Sequence, residues 1–423
     1  MFKKPSLFFS VPDLRKKLFF ILGILILFRA SAAIPVPGVD PVRLKAFLAG
    51  NQFFGLLNVF SGGALNNLSV VMLGVGPYIT ASIIMQLGTM IVPRLKELYQ
   101  EEGEAGRERF NQYARLLTVP LSFLQGYGLL VLLIRQQIIP PLTLFGYLSN
   151  LIVISAGTMF LMWLGEFITE QGLGNGVSIL ILGGILARLP QSLQQEFFTF
   201  TPDKIPGYLG FLVVAVLVIA GVVVASEGER AIPVSYAKRI RGNRVYGGAS
   251  THLPLRVNQA GVIPIIFAVS VILFPGLIGS FLAGMPNPFV QRLAQFLLQI
   301  FNNRLLYGVI YFLLVFVFTY FYTAVTFDPE ALAQNLQKQG GFILGIRPGQ
   351  PTAEYLTRIL SRITIAGALF LGVIAILPLI VQEIFGIRTL TIGGTALLIV
   401  VSVIIETMKQ VEAQLVMREY EQI

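Results

Sequence analysis

Residues 53–93 read FFGLLNVFSGGALNNLSVVMLGVGPYITASIIMQLGTMIVP, and this stretch decides the fold because it enters an apolar phase, stops, and enters again. A spanning helix needs about 20 apolar residues, so the first piece, Phe53 to Phe60, cannot cross before Ser61-Gly62-Gly63 and the amides Asn66 and Asn67 interrupt it. The second piece, Leu68 to Val92, is long enough but carries Gly74, Gly76 and Pro77 in its first half. Proline removes a backbone donor and disturbs the preceding turn. In lipid, irregular backbone survives only where protein or water surrounds it. The stretch is therefore expected to line an interior.

Val75, Ile79 and Ile83 recur every four residues on one face, and Ser82, Gln86 and Thr89 follow a similar spacing on the next. An aliphatic stripe thus runs beside a polar one. Ordinary helix packing with hydroxyls bonded to a neighbour explains a single such helix. The failed half-span just before it tips the reading toward a pathway.

Outward from there, the chain is 55% hydrophobic and 12% charged over 423 residues, which excludes a soluble globule. The apolar runs are long and continuous, unlike the short alternating segments of a membrane barrel. The sequence is that of an all-α polytopic membrane protein. With no cysteine it has no thiol chemistry, its lone His252 excludes most histidine metal sites, and it lacks phosphate- and dinucleotide-binding glycine motifs. No catalytic residue, cofactor or metal is expected, and any energy must come from a partner.

Ten spans are expected near 18–36, 68–92, 113–134, 148–168, 176–190, 208–226, 258–280, 305–326, 362–382 and 391–408. An even number puts both termini on one side. That side holds 22 of the 31 Lys and Arg, the other holds 8, and Arg29 lies within the first span. Positive charge marks the cytoplasmic side. The Ser31-Ala32-Ala33 end of the first run resembles a cleavage site, but the run is too long and contains Arg29. A structural role is expected for that arginine.

The resulting organisation is a cytoplasmic segment 1–17; a first half 18–190; an external linker 191–207; a second half 208–408 with cytoplasmic loops 227–257 and 327–361; and a tail 409–423. The mixed charges of 94–109 read as a solvated face. Thr169 to Gly176 forms a tight glycine-rich turn, lacking the lysine and strand of a phosphate loop. In the first large loop, Lys238, Arg239, Arg241 and Arg244 sit within seven residues flanked by Tyr236 and Tyr246, the pattern of an ordered finger for an anionic partner or anionic lipid. The second opens with a helix start at Asp328-Pro329 and presents Arg347 at a turn bounded by Gly345, Pro348 and Gly349.

The seventh run repeats the oddity of the second: Asn258, Gln259, Gly261 and Pro264 precede or interrupt an apolar run ending at Phe274-Pro275. Each is the second member of a five-span half, and an odd number of spans inverts the second half. Interruptions at corresponding positions of inverted halves point to a pathway between them.

The stretches SGGALNNLSVVMLGVGPYITASIIMQL, MFLMWLGEFITEQGLGNGVSIL, RVYGGASTHLPLRVNQAGVIPIIFA, NLQKQGGFILGIRPGQPTAEYLTRI and GGTALLIVV together resemble the SecY family, core subunits of the bacterial Sec protein translocase. The resemblance implies ten helices in two inverted five-helix halves around a central hourglass pore, in the bacterial inner membrane, passing unfolded chains across or releasing helices sideways into lipid. It places a re-entrant plug at about 54–66, with Phe54, Leu57, Phe60, Gly62, Gly63 and Leu65. Its pore ring falls on Val75, Ile79, Ile83, Ile181, Ile266 and Ile399, and its lateral gate on Thr80, Gln86, Asn258 and Phe274. It gives Lys238, Arg239, Arg241, Arg244, Arg256 and Arg347 to docking of the SecA ATPase or the ribosome. The chain has Asn243-Arg244 where the family often has two arginines. Implied partners are the small subunits SecE and SecG, signal peptides, nascent polypeptides and anionic phospholipids.

Two other function classes fit less well. A secondary transporter keeps coupling carboxylates at mid-membrane, whereas Glu166, Glu170, Glu383 and Glu406 sit near span ends. An intramembrane enzyme needs a nucleophile, metal site or carboxylate pair at depth, and no spacing supplies one.

Overall fold

The computed structural model describes residues 11–36, 58, 61–135, 137–198, 201–202, 205–236, 239–241, 244–246, 250–282, 287–385 and 392–421. Helix α1 (Pro12–Ala32) begins with proline and Asp13 in its first turn, a start that suits the free N–H groups and the helix dipole there. A 3-10 turn at Ala64–Asn67 leads to α2 (Gly76–Ile91). A short α3 (Pro93–Lys96) and a π turn (Glu97–Glu101) precede α4 (Gly103–Arg135), α5 (Leu144–Glu170), α6 (Gly176–Phe198) and α7 (Ile205–Glu227). After β1 (Glu229–Tyr236), β2 (Arg239–Arg241), β3 (Arg244–Tyr246) and β4 (Ser250–Arg256) come α8 (Ile263–Leu282), α9 (Pro288–Asn302), α10 (Arg304–Thr326) and α11 (Pro329–Lys338). Strand β5 (Gly341–Ile343), α12 (Gln350–Phe385) and α13 (Ile392–Glu421) complete the described chain.

Among the described residues, α4, α5, α7, α10 and α12 are each long and apolar enough to cross a bilayer, and α2 with the segment that follows it adds a sixth, bent by 115°. Shorter apolar helices cover 176–190 and 263–272. The chain is thus a multi-pass helical membrane protein.

Several sequence expectations need correcting. The second apolar piece is not one interrupted helix from 68. Residues 68–75 form turns, with Leu68 and Gly74 at positive φ, and the helix starts at Gly76 with Pro77 in its first turn. Proline costs nothing there, since first-turn N–H groups have no intrahelical acceptor. The seventh run behaves alike: α8 starts at Ile263 with Pro264 second, and Gly261 has φ +61° against +60° at Gly74. Segment 94–109 is more than a solvated face. Leu98 is buried, the Tyr99 ring lies 4.9 Å from that of Phe110, and the Arg107 guanidinium sits over the Tyr99 ring at 5.9 Å, so the chain folds back onto α4. Helix α6 runs through Pro190 to Phe198, α12 begins within the expected loop 327–361, and α13 continues through the expected tail to Glu421.

The all-helical reading holds for the apolar part and fails in the loops. Strand β1 pairs antiparallel with β4 on one side (Glu229 opposite Arg256, Ser235 opposite Ser250) and with β5 on the other (Val234 opposite Ile343). Ile232 and Val234 on one face of β1 are buried with Leu255, Leu336, Ile343, Leu356 and Ile359, a small core that α11 and α12 close from below. Loops far apart in sequence are thereby fused into one rigid platform. Asp328 caps α11, as expected, by accepting from the N–H groups of Glu330 (2.9 Å) and Ala331 (3.1 Å).

Candidate functional site

The helices before and after the 199–204 region meet principally along two seams: α2 and α4 against α8, and α6 against α13. The six expected ring residues all lie on helices of these seams. Ile79 and Ile83 follow Val75, the residue that caps α2, on one helical face; Ile181 is on α6, Ile266 on α8 and Ile399 on α13. Each is at most 5% exposed, and all belong to one continuous apolar core.

A short internal repeat, missed in the sequence, recurs at this level. Gly74-Val75-Gly76-Pro77-Tyr78-Ile79 and Gly261-Val262-Ile263-Pro264-Ile265-Ile266 share the order Gly-Val-x-Pro-x-Ile. Both glycines take the left-handed conformation that other residues avoid, and both isoleucines are bonded through their amides to the valine carbonyls, at 3.0 Å and 3.2 Å. The same backbone device therefore presents Ile79 and Ile266, each one turn into a seam helix.

Of the expected plug residues, Phe54, Leu57 and Phe60 lie outside the described residues, while Gly62, Gly63 and Leu65 are buried. Residues 61–65 fold under the end of α1. Ser61 Oγ accepts from Leu65 N at 3.2 Å and donates to the Asn58 carbonyl, to which Gly63 N also donates. Arg29, in the last turn of α1, donates from Nη1 to the Gly62 carbonyl at 3.0 Å, and the Arg188 stem lies against Gly63. On α6, a methyl group at Gly184 would sit only 2.3 Å from Gly62 Cα, so two glycine backbones touch there. Residues 61–65 are thus interior, as expected for this stretch, whereas Ile84, Met90 and Ile91 further along it are exposed.

The expected gate residues fall on the α2–α8 seam. Thr80 is buried and accepts from Gln125 Nε2 on α4 at 3.4 Å, a partner that sequence reading missed because it lies on a different span. Gln86 Oε1 is buried with no partner among the described residues. Asn258, just before α8, donates from Nδ2 to the Gly261 carbonyl at 3.2 Å, while its Oδ1 is buried with no partner among the described residues. Phe274 is part of α8, and its side chain lies outside what is described. An unpaired buried acceptor costs about 1–3 kcal/mol, so Gln86 and Asn258 are the polar groups on these two segments that packing leaves least well satisfied.

Beside Asn258 opens a cleft of about 370 Å³, walled by Ser226, Arg256, Tyr322, Glu406 and Lys409. Lys409 pairs with Glu227 at 2.9 Å and donates to the Ser226 carbonyl at 3.0 Å, tying α13 to the end of α7. The cleft lies next to the sheet platform, since Arg256 ends β4. Arg256 and Arg347 are both exposed, and Thr352 Oγ1 fixes the Arg347 turn by donating to its carbonyl at 2.8 Å. Arg239, Arg241 and Arg244 occupy the β2–β3 ribbon, Arg241 directly opposite Arg244 in register; Lys238 lies outside the described residues.

Comparison with known proteins agrees with this geometry. Residues 69–408 match the SecY family model. The chain is 45% identical over 431 residues to a protein of Streptomyces galbus named protein translocase subunit SecY, covering 98% of this chain and 97% of that one. It is 45% identical over 432 residues to a protein of the same name from Halalkalibacterium halodurans, covering 99% of each. A solved structure described as a protein conducting channel superposes with a TM-score of 0.63 over 93% of this chain and 91% of that one at 19% identity. Another, of a SecY protein whose plug domain is described as stabilising the closed channel, gives 0.62 over the same shares, also at 19% identity. A translocase-subunit sequence match across nearly the whole length, on a channel fold with an apolar seam at its centre, leads to one conclusion: the chain belongs to the SecY family.

Proposed function

We propose that the chain is the pore-forming subunit of a protein translocase, threading unfolded polypeptide between its two halves. The observation that carries this reading is the set of six buried aliphatic side chains on α2, α6, α8 and α13, the helices of both seams. Aliphatic groups make no hydrogen bonds, so a waist built from them grips no particular sequence, and a narrow apolar constriction resists ions by dewetting. As a translocase subunit it performs no chemistry of its own.

The finer reading has ten spans in two inverted five-helix halves, both termini in the cytoplasm, in the inner membrane of a bacterium. Residues 54–66 form the plug, which the Gly62–Gly184 contact and Arg29 hold in place. The α2–α8 seam is the lateral gate, through which apolar segments such as signal peptides pass into lipid. The sheet platform bearing Arg256 and Arg347, with the β2–β3 ribbon, docks SecA or the ribosome through its positive charge. SecE, SecG and anionic phospholipids complete the assembly.

The test is reconstitution. Vesicles containing the chain, its small subunits and SecA should shield a secretory precursor from added protease when ATP is present. ATP-independent, saturable uptake of a small solute, with no precursor shielded, would identify a transporter instead.

A further inference from the structure

Helix α9 plays no part in the pore, the gate or the docking platform. Its sequence, PFVQRLAQFLLQIFN, is too short to span. At 3.6 residues per turn, its described residues fall into three sectors. Ala294, Leu297 and Leu298 point one way, onto Gly279 of α8, where a methyl group would meet Leu297 Cβ at 3.1 Å and the Ala294 carbonyl at 3.3 Å. Gln291, Arg292, Gln295 and Gln299 form an exposed polar sector. Between these lie Phe289, Leu293 and Phe296, which are 75%, 45% and 62% exposed. Three large apolar side chains in one exposed row are not held by any described part of this chain.

The depth of α9 is fixed by its corner. A single residue, Asn303, ends α9 and caps α10, accepting from Leu305 and Leu306 N–H at 3.1 Å and 3.2 Å. Helix α10 crosses the membrane, and immediately beyond the corner its own lipid-facing stripe begins with Leu305, Val309 and Leu313, all more than half exposed. One residue of connection leaves α9 no room to rise away from the boundary where α10 enters lipid. The exposed row of α9 therefore continues the apolar surface of α10 at the edge of the bilayer, opposite the end of α8 that carries the sheet platform.

We infer that α9 is an interfacial membrane helix: it lies in the plane of the leaflet with Phe289, Leu293 and Phe296 among the upper acyl chains, the glutamines and Arg292 in the headgroup layer, and its inner face clamped on Gly279 of α8. Helices of this three-sided kind bury their apolar side about 5–10 Å into the headgroup boundary. The consequence concerns α8, the helix on the gate side of the seam. Its far end is moored to the lipid surface through α9, so movement of α8 drags an amphipathic helix through the leaflet. This inference requires only that the chain spans a membrane, not that it conducts polypeptide.

The chain has one tryptophan, Trp163 on α5, so a Trp163→Phe background allows single reporters. Leu293→Trp, Phe296→Trp and, as control, Gln295→Trp are compared in full-length protein reconstituted into phosphatidylcholine–phosphatidylglycerol vesicles. The acyl chains are brominated either close to the headgroup or near their ends. Bromine close to the headgroup is expected to remove about half the emission of the Leu293 and Phe296 reporters. Bromine near the chain ends should remove less, and the Gln295 reporter should be little affected by either. Equal quenching at 293 and 295 would overturn the inference. So would a blue-shifted Leu293 reporter insensitive to bromine at both depths, which would mean that protein covers this row. If either variant fails to fold, Phe289→Trp, at the most exposed of the three positions, gives the same comparison.

Discussion

Replacing Gly184 with alanine should unseat the plug, because the new methyl group would lie 2.3 Å from Gly62 Cα. Carbon atoms rest about 3.5–4.0 Å apart, so one of the two backbones must retreat by about 1.2–1.7 Å. Neither can do so by rotating a side chain, since both contacts are main chain. Overpacking of this kind costs about 1–3 kcal/mol. The strain exists only while 61–65 is seated against α6, so it raises the closed state relative to any state in which the plug has left. A shift of that size changes the open population about 5- to 150-fold. The assay is ion leak through the purified protein in planar bilayers, with Gly23→Ala as control, since a methyl group there meets nothing within 4 Å. Leak should rise in Gly184→Ala and stay at the parental level in Gly23→Ala. A folded Gly184→Ala protein that leaks no more than its parent would refute the seating argument.

Arg29→Met removes the donor to the Gly62 carbonyl; that bond is partly exposed, worth about 1 kcal/mol, so leak should rise by less than in Gly184→Ala, and an unchanged leak would exclude Arg29 as an anchor. Gln86→Leu replaces a buried unpaired acceptor by an apolar group, which should raise the melting temperature and slow the export of precursors with weakly apolar signals; a lower melting temperature would indicate that the amide has a partner. Arg347→Glu reverses an exposed charge whose turn is held by the Thr352 hydroxyl on its backbone carbonyl, so folding should be unaffected while SecA-driven export falls sharply; normal export would remove Arg347 from the docking surface.

The long apolar helices were legible because hydrophobic length is a local property, and α4, α5, α7, α10 and α12 lie where continuous runs placed them. The interruptions were legible as well, but not their geometry. Pro77 and Pro264 read as kinks within helices, whereas each stands in a first turn, after a glycine that reverses the backbone. The shared Gly-Val-x-Pro-x-Ile pattern is present in the sequence, but six residues repeated far along the chain carry too weak a signal to stand out without the matching backbone geometry. The sheet escaped notice for another reason. In 227–257 the basic residues outweigh the short alternation of Ile232 and Val234 with exposed neighbours, and the third strand of the sheet comes from a loop more than a span away. The Gly62–Gly184 contact and the Gln125–Thr80 bond join distant segments through close approach alone, and no local pattern encodes either. Helix α9 fell below the length that marks a span, so its three-sided character emerged only once its neighbours were in place.

The most direct test of a central polypeptide path uses single cysteines, since the chain has none of its own. Cysteine is placed in turn at Ile83, Ile181, Ile266 and Ile399, and at Leu209 and Leu217 on the exposed face of α7 as controls. Each variant is then crosslinked to a precursor arrested in mid-translocation. The seam positions should capture the precursor and the α7 positions should not. Capture at α7 with none at the four isoleucines would contradict a path between the two halves.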